Sequence, residues 1–195
     1  MAVHEVTFPI TDEQEILKLR AGDEVVAQGH IIGIRDRTQI RIFDQGQEPP
    51  FDLRGALLLH TAPNVRKVAE GKYEKICIGT TTSARMVRFT EPLGRRYGVR
   101  AICGKGGLPD EAIEPMRELG MVYFAIVGGA AALETTQIEE IAEVAWEELM
   151  PECLWRFRVK DFGPLTVGID AHGNSLYRDV QERANKKLEE LYARL

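Results

Sequence analysis

A chain of 195 residues with 44% hydrophobic and 28% charged residues has the composition of an ordinary globular protein and the length to bury a substantial core. Its net charge of -5 gives no electrostatic reason to expect binding to nucleic acid or to an anionic membrane. The longest apolar run, residues 121–133, is interrupted by two glycines and is too short to span a bilayer. The first residues lack a basic n-region and an apolar h-region, so we expect a cytoplasmic protein.

The first sixty residues show strand and helix patterns in no regular order. A polar segment from Arg35 to the Pro49-Pro50 break separates two apolar parts, and the part before it reads as two strands around Gln28-Gly29-His30. The predicted elements are a strand at 4–8, a short amphipathic helix at 13–19, the pair of strands within 23–34 and a buried strand at 55–60.

From residue 75 onward, strand patterns alternate with helix patterns. The alternation indicates βαβ units and therefore a parallel sheet, in which ligands bind beyond the carboxyl ends of the strands. A glycine-rich turn follows each of these strands, so we expect the three turns to meet at one edge of the sheet. The predicted strands lie at 75–78, 99–102 and 122–127, the helices at 81–96 and 109–119, and the turns at 79–85, 104–107 and 128–130.

The last third of the chain changes character. Gly163-Pro164 predicts a turn between two strands, and Asp170 opens a second turn that contains His172. We therefore expect an α/β fold with a mainly parallel sheet, flanking helices and an additional β layer, all within a single domain over residues 1–195. The predicted elements here are strands at 155–159 and 165–169 and a charged amphipathic helix at 175–195.

The segment Gly79-Thr80-Thr81-Thr82-Ser83-Ala84-Arg85-Met86 is the most informative in the chain. It lies between a predicted strand and a predicted helix, and the free N–H groups of a helix N-terminus attract anions. Arg85 follows Thr81 by four residues, which places the two on one face of that helix. Three consecutive threonines are more than an N-cap requires and are poor helix formers. The segment therefore predicts a cradle for a carboxylate or a phosphate.

Two further cations follow strand ends. Lys105 lies among glycines that allow the backbone to approach a ligand closely, and Arg35 directly follows the apolar run at residues 30–34. For Arg35, a salt bridge with Asp36 and a ligand contact are equally good interpretations. Two arginines, a lysine and a row of hydroxyls suit a small dianion, because a guanidinium grips a carboxylate through two parallel hydrogen bonds. A phosphate enzyme is a weaker alternative, since the pattern GxxxxGK[ST] is absent.

The cysteines and histidines carry weaker signals. Cys77, Cys103 and Cys153 lack the CxxC spacing of a metal site, and buried reduced thiols are expected. His172 is interpreted as a turn histidine, with a general acid or base as the alternative. His60 ends an apolar strand and is expected to be a satisfied core or edge histidine, while Trp146 and Trp155 are interpreted as core or interface anchors.

Taken in order, the motifs of the chain resemble those of the β subunit, or C-terminal domain, of the class I iron–sulfur hydro-lyases. That family includes class I fumarase and L(+)-tartrate dehydratase. Each motif is weak alone, and the order over most of the chain is specific. The motifs lie at residues 34–36, 50–56, 79–86, 104–107, 128–133, 150–152, 161–164 and 169–177.

The resemblance implies a swivelling β/β/α domain and the reversible addition of water to a small dicarboxylate, such as fumarate to L-malate. By motif position, Arg35, Arg85 and Lys105 bind substrate carboxylates, Thr81 matches the family's proposed catalytic base, and its neighbour Thr82 also contacts substrate. A [4Fe–4S] cluster is implied, held by the cysteines of a separate α subunit in an α2β2 assembly, and no metal ligand is assigned to this chain.

The chain also departs from the family pattern. Gln39 stands where the family usually has a histidine, and Ala62-Pro63 stands where it commonly has Gly-Pro. These departures leave the identity of the dicarboxylate open. The alternatives are L(+)-tartrate or a methylated C4 acid as substrate, and, from a different class, a non-catalytic anion-binding or scaffold module.

Overall fold

In a computed structural model, which describes residues 2–193, the chain forms a mixed α/β structure. The strands are β1 (Val3–Phe8), β2 (Glu24–Ile34), β3 (Leu57–His60), β4 (Asn64–Ala69), β5 (Lys72–Cys77), β6 (Ala101–Gly104), β7 (Val122–Ala125), β8 (Ile138–Ala145) and β9 (Leu154–Ile169). The α-helices are α1 (Gln14–Leu17), α2 (Asp36–Phe43), α3 (Thr90–Tyr97), α4 (Ile113–Glu118) and α5 (Leu176–Tyr192). Short 3-10 helices lie at Ala84–Phe89, Asp110–Ala112, Gly129–Ala132, Glu134–Gln137 and Glu147–Leu149.

Seven strands form one sheet in the order β1-β2-β3-β6-β7-β9-β8. The first five strands in this order run parallel to one another, whereas β9 runs antiparallel to both of its neighbours. An additional antiparallel pairing between β2 and β9 closes β2, β3, β6, β7 and β9 into a ring like a small barrel. The predicted α/β class is confirmed, and the described β4–β5 hairpin lies outside this sheet.

The alternation of side chains along the strands divides the core in two. In β3, Leu57 and Leu59 belong to one buried cluster, whereas Leu58 belongs to another. The first cluster contains Trp155 and Phe157, whose rings stack at 6.2 Å. The second cluster packs α3 and α4 against the opposite side of the strands. Because β3 is buried on both sides, its carboxyl end is held in a fixed place.

Two predicted breaks in the strands are wrong. Residues 24–34 form one strand, β2, and not a pair. The strand continues through bulges against β9, where the register shifts between Val25 and Gly29. The predicted turn at Gly163-Pro164 lies inside β9, and Asp161 just before it has a φ of 54°. Proline and glycine are tolerated within strands at bulges, where the ladder of hydrogen bonds is already interrupted.

The predicted strand at 75–78 exists in part, but it does not belong to the parallel sheet. β5 pairs with β4 in an antiparallel hairpin, and its Ile76 is 57% exposed. The apolar run therefore predicted the strand correctly and its partner wrongly.

The predicted helix at 81–96 begins later and in another form. Residues 84–89 form a 3-10 helix that continues into α3, so residues 81–83 are not helical. Thr81 and Arg85 consequently do not share a helix face. The helices predicted at 109–119 and 175–195 are confirmed as α4 with its preceding 3-10 turn and as α5, and residues 194 and 195 lie outside the described residues. The polar segment after Arg35 contains α2.

Candidate functional site

All five residues predicted to form the site lie at the carboxyl ends of the parallel strands. β2 ends at Ile34 immediately before Arg35, and β6 ends at Gly104 immediately before Lys105. Thr81 and Thr82 lie between the ends of β3 and β6, and Arg85 follows in the 3-10 helix. The topology thus brings together residues as far apart in the sequence as Arg35 and Lys105.

Residues 80–83 are held between these strand ends by backbone hydrogen bonds. The Thr81 N–H donates to the His60 carbonyl at 2.8 Å, and the Lys105 N–H donates to the Thr81 carbonyl at 3.2 Å. The Ser83 N–H then donates to the Lys105 carbonyl at 2.9 Å. The segment therefore extends the sheet by a short bridge and does not serve as a helix N-terminus, so its ligand-binding potential rests on side chains.

The three glycine-rich turns meet as predicted. Gly106 and Thr82 are so close that a Cβ on the glycine would lie 3.1 Å from the threonine methyl. The Thr80 hydroxyl donates to the Val127 carbonyl at 3.1 Å. A Cβ on Gly128 would lie 3.9 Å from the Lys105 Nζ. The lysine amine therefore lies beside the turn that follows β7.

Gly79 makes the entry into this segment possible. Its φ of 58° lies in the left-handed region, and a Cβ there would collide with the carbonyl oxygen of Ala62. Only glycine adopts this conformation without cost at so close an approach of two backbone segments.

Arg35 and Arg85 share one carboxylate, that of Asp36. Arg85 binds it with both nitrogens of a fork, Nε to Oδ1 at 2.8 Å and Nη2 to Oδ2 at 2.9 Å. Arg35 donates from Nε to Oδ2 of the same group at 3.1 Å. The salt bridge that was one interpretation of Arg35 is present, and it connects the two arginines instead of removing one from the site.

Asp36 is the residue at this edge that sequence reasoning did not single out. Burial raises the pKa of its carboxyl, but the hydrogen bonds from Arg85 and Arg35 outweigh that effect and lower the pKa overall. Asp36 is therefore an anion at neutral pH. Glu152 lies 3.8 Å from the Arg35 Nε and accepts a hydrogen bond from the backbone N–H of Arg37. The signal available in the sequence was the Arg-Asp pair directly after a strand end.

Lys105 and the Thr81 hydroxyl have no such partners among the residues that the structure describes. Lys105 takes part in no ion pair there, and the Thr81 hydroxyl forms no hydrogen bond there although the residue is only 6% exposed. Three cations (Arg35, Arg85 and Lys105) lie at this edge with two carboxylates (Asp36 and Glu152), which leaves a surplus of positive charge among these five residues. The arrangement can bind an anion and present a hydroxyl to it.

His60 is buried at the end of β3, as expected, but only one of its ring nitrogens is satisfied. Nδ1 lies 2.9 Å from the Ser83 Oγ, and Nε2 has no partner within residues 2–193. His60 and Thr81 are well separated in the sequence, but in the fold they are neighbours, because the Thr81 N–H donates to the His60 carbonyl.

His172 lies at the other edge. Because β9 runs antiparallel to β2 and β7, the turn after Ile169 is at the end where those strands begin. Asp170 organises this turn by accepting hydrogen bonds from the backbone N–H groups of His172 and Asn174 at 2.9 and 3.0 Å. The interpretation of His172 as a turn histidine is confirmed.

Two of the three cysteines are buried as expected, whereas Cys77 is only partly buried. Cys103 and Cys153 are fully buried, and burial raises the pKa of the Cys153 thiol to about 12 and that of Cys103 further. Within residues 2–193 there is no group of three histidine, cysteine or acidic side chains that could hold a metal ion. In that same part of the chain no helix has both the length and the apolar character needed to cross a bilayer.

The family model described as Fumarase C-terminus matches residues 2–180, so the chain belongs to this family. It is 39% identical over 184 residues to the L(+)-tartrate dehydratase subunit beta of Escherichia coli (strain K12), which covers 94% of this chain and 88% of that protein. It is 36% identical over 192 residues to a Methanocaldococcus jannaschii protein provisionally named L(+)-tartrate dehydratase subunit beta, covering 96% of this chain and 98% of that one.

A third relative is organised differently. A Geobacillus stearothermophilus protein, provisionally named fumarate hydratase class I, is 36% identical over 181 residues, which are 92% of this chain but only 34% of that protein. The resemblance drawn from the motifs is thus confirmed, and the corresponding part of that relative belongs to a much longer chain.

Proposed function

We propose that this chain is the β subunit of a hydro-lyase that adds water reversibly to a small dicarboxylate. One observation carries the proposal: Arg35, Arg85, Lys105 and the hydroxyls of Thr81 and Thr82 converge on one edge of the sheet in a member of the Fumarase C-terminus family. The names of its relatives, tartrate dehydratase subunits and a fumarate hydratase, support the reaction class.

Fumarate, hydrated to L-malate, is the substrate we propose first, with a role in the tricarboxylic acid cycle. L(+)-tartrate is an equally supported alternative, since two of the relatives carry that name. A methylated C4 acid would make the same carboxylate contacts. These substrates share two carboxylates and differ at the carbons between them, so the cationic cradle accounts for what they have in common.

In this proposal Arg35 and Arg85 bind substrate carboxylates with the N–H groups that Asp36 leaves unused, and Lys105 supplies a third positive charge. Bidentate and charge-assisted hydrogen bonds orient a carboxylate as well as attract it. Thr82 contacts the substrate from residues 80–83, the bridge segment between the ends of β3 and β6. Thr81 exchanges the proton on the carbon next to a carboxylate, and since a threonine hydroxyl is a weak base, it requires a proton acceptor outside the described residues.

A [4Fe–4S] cluster held by an α subunit completes the site in this proposal. The donor set of this chain fits a cluster bound elsewhere, because two of its three cysteines are buried thiols with raised pKa values. When bound, such a cluster would supply Lewis-acid chemistry for the loss of the hydroxyl group. We further propose an α2β2 assembly in the cytoplasm, and a β/β/α domain that swivels on the α subunit.

The test is to co-produce this chain with a cysteine-bearing α subunit and to measure turnover without oxygen. Hydration of fumarate, followed by its ultraviolet absorbance, is the expected result. Oxaloacetate formed from L(+)-tartrate at a higher kcat/KM would select the alternative substrate. No turnover of any C4 or C5 dicarboxylate by a cluster-loaded complex would refute the proposed reaction.

A non-catalytic anion-binding or scaffold module is the candidate from another class. It predicts that the isolated chain binds a dicarboxylate as tightly as the complex does. The half-open cradle, with Arg85 44% exposed, favours a site that a second chain must close. Calorimetric titration of the isolated chain with L-malate decides this point, since micromolar binding without the α subunit would support the module.

A further inference from the structure

A buried chain of polar groups runs behind the bridge segment. The His60 Nδ1 lies 2.9 Å from the Ser83 Oγ, and the Ser83 Oγ lies 3.1 Å from the Tyr123 Oη. The Tyr123 hydroxyl lies 2.7 Å from the carbonyl oxygen of Gly104. His60, Ser83 and Tyr123 are each no more than 1% exposed. Hydrogen bonds between buried polar groups are stronger than those in water and make the local structure rigid.

The number of donors and acceptors in this chain of polar groups determines where its protons lie. Burial lowers the pKa of His60 to about 3 and raises that of Tyr123, so at neutral pH the imidazole carries one proton and the phenol keeps its own. Tyr123 donates to Gly104, its nearest acceptor, which leaves its oxygen to accept from Ser83. Ser83 must then accept from His60 Nδ1–H, and every contact in the chain becomes a hydrogen bond.

The opposite tautomer is worse by this count. If Ser83 donated to Nδ1, the imidazole proton would be on Nε2, which has no acceptor within residues 2–193, and one contact of the chain would lack a proton. In either tautomer Nε2 lacks a partner, which costs about 1–3 kcal/mol. The tautomer with the proton on Nδ1 is favoured because only it gives every contact of the polar chain a proton.

His60 therefore holds the bridge segment at two points. Its carbonyl accepts from the Thr81 N–H at 2.8 Å, and its ring binds Ser83, two residues further along. The closeness of the packing is visible at Gly104, where a Cβ would lie 3.2 Å from both the His60 Cβ and the Thr81 carbonyl oxygen. Thr81 carries the first of these two attachments, and Thr82 lies between them.

We propose that His60 is a positioning residue: through Nδ1–H and Ser83 it fixes the segment that presents the Thr81 hydroxyl to the substrate. This inference rests on the proposed hydro-lyase function. Its side chain makes no hydrogen bond to Arg35, Arg85 or Lys105 within the described residues, so it should act on the reacting step and leave the carboxylate contacts intact.

The experiment compares variants of the active complex. His60→Leu should lower kcat about tenfold to a hundredfold, the effect of a small misplacement of a reacting group, with KM within about twofold of wild type. His60→Asn should restore most of kcat, because the amide nitrogen of asparagine is as many bonds from Cα as Nδ1 and also donates a proton. Ser83→Ala removes only the hydroxyl oxygen to which His60 donates, and the same fall in kcat is expected for it. It replaces His60→Leu in the experiment if the leucine variant does not fold.

A double-mutant cycle separates positioning from general damage. In a Thr81→Ala background, His60→Leu should cause no further loss of kcat, because the group it positions is gone. An equal loss in both backgrounds, or wild-type kcat in His60→Leu and Ser83→Ala, would overturn the proposal.

A second measurement does not depend on turnover. In the isolated full chain, nitrogen NMR should find the His60 proton on Nδ1, and His60→Leu should speed hydrogen exchange at the Thr81 N–H. A proton on Nε2, or unchanged exchange, contradicts the positioning role. If the wild-type complex is inactive on every dicarboxylate, the proposed function fails, and these two NMR results decide the role of His60 in holding the segment.

Discussion

Asp36 shows at the scale of single residues how a cationic site can be stable before its ligand arrives. Two arginines at one strand edge repel each other, and one shared carboxylate holds both guanidinium groups in place. The two hydrogen bonds to Asp36 orient the Arg85 guanidinium, yet the side chain remains 44% exposed, so part of the guanidinium can still contact a ligand. A substrate carboxylate would therefore join an arrangement that already exists, which reduces the ordering that binding requires.

Arg85 and Arg88 form a natural pair for testing this. Both lie in the same 3-10 helix, and each makes a two-point ion pair with an aspartate, Asp36 for one and Asp44 for the other. Arg85→Lys loses the fork geometry and should raise KM for the dicarboxylate about tenfold, which corresponds to about 1.4 kcal/mol. Arg88→Lys should leave KM and kcat unchanged. Steady-state kinetics of the two complexes gives the comparison, and equal effects would remove Arg85 from the site.

Thr81→Val keeps the branched shape of the side chain and removes only the hydroxyl. If this hydroxyl takes part in proton exchange, kcat should fall about a hundredfold or more while KM stays nearly constant, the pattern of an interaction made only in the transition state. Thr7→Val, on the exposed face of β1, is the matched control and should retain wild-type kinetics. A Thr81→Val complex with full kcat would show that the hydroxyl has no role in the reaction.

His60 should also be visible in the stability of the isolated chain. Its pKa is lowered to about 3 in the folded state because the ring is buried, while Asp36 opposes this shift and Arg85 adds to it. An unfolded histidine has a pKa of about 6.5, so between the two values the unfolded state binds the extra proton. Stability is therefore complete above about pH 6.5 and is lost as the pH falls, by up to about 1.4 kcal/mol per pH unit.

Urea unfolding between pH 7 and pH 5 measures this effect. His60→Asn removes the titrating group, so its free energy of unfolding should vary less with pH than that of the wild type over this range. Identical pH slopes in the two proteins would mean that His60 is not held neutral in the fold.

At the scale of elements, local patterns predicted the strands of the parallel sheet well and their partners poorly. The apolar strands near residues 99–102 and 122–127 were found because a strand buried on both sides reads as an apolar run. The run at 75–78 looks the same, but half of β5 faces solvent in a hairpin. Which strand pairs with which depends on contacts far apart in sequence, and these a local pattern does not contain.

The candidate site could be predicted only in part, again because local patterns do not contain long-range contacts. Its residues follow strand ends, and the rule that ligands bind beyond carboxyl ends holds for Arg35 and Lys105 wherever those strands are placed. The roles of Asp36 and His60 depend on which turns face each other, and this was fixed by the order of strands in the sheet. The helix inferred at 81–83 was wrong because backbone bonds to β3 and β6 replace helical ones there.

Gly79 tests the element that carries the hydroxyls. Gly79 and Gly71 have nearly the same positive φ, 58° and 63°, but a Cβ at Gly79 meets the Ala62 backbone whereas nothing lies within 4 Å at Gly71. Gly71→Ala should cost only the left-handed strain, about 1–2 kcal/mol. Gly79→Ala adds a collision and should cost about 1–3 kcal/mol more. Urea midpoints measure both, and equal losses would show that the Ala62 contact relaxes freely.

At the scale of the whole molecule, the closed arrangement of strands and the exposed last helix contribute very differently to the fold. β1 lies at one end of the sheet order and buries Val6 and Phe8 to 1% exposure. α5, in contrast, has no buried residue, and its Val180, Leu188 and Leu191 are about half exposed. The family model also matches only as far as residue 180. The part of the chain that builds the fold therefore ends near the beginning of α5.

Removal of residues 181–195 should accordingly lower the free energy of unfolding by no more than about 1 kcal/mol, because residues 181–193, the described part of this stretch, are all exposed. Tyr177, which packs against Gly107 and Gly168, stays in place in this variant. Removal of residues 2–8 is the opposing case: it exposes the surfaces that Val6 and Phe8 cover, worth about 1.5–3 kcal/mol for each side chain, and breaks the parallel pairing with β2, so most of the stability should be lost. Thermal and urea unfolding of the two shortened chains gives the measurement. A large loss on removing residues 181–195 would show that α5 packs against the body of the isolated protein.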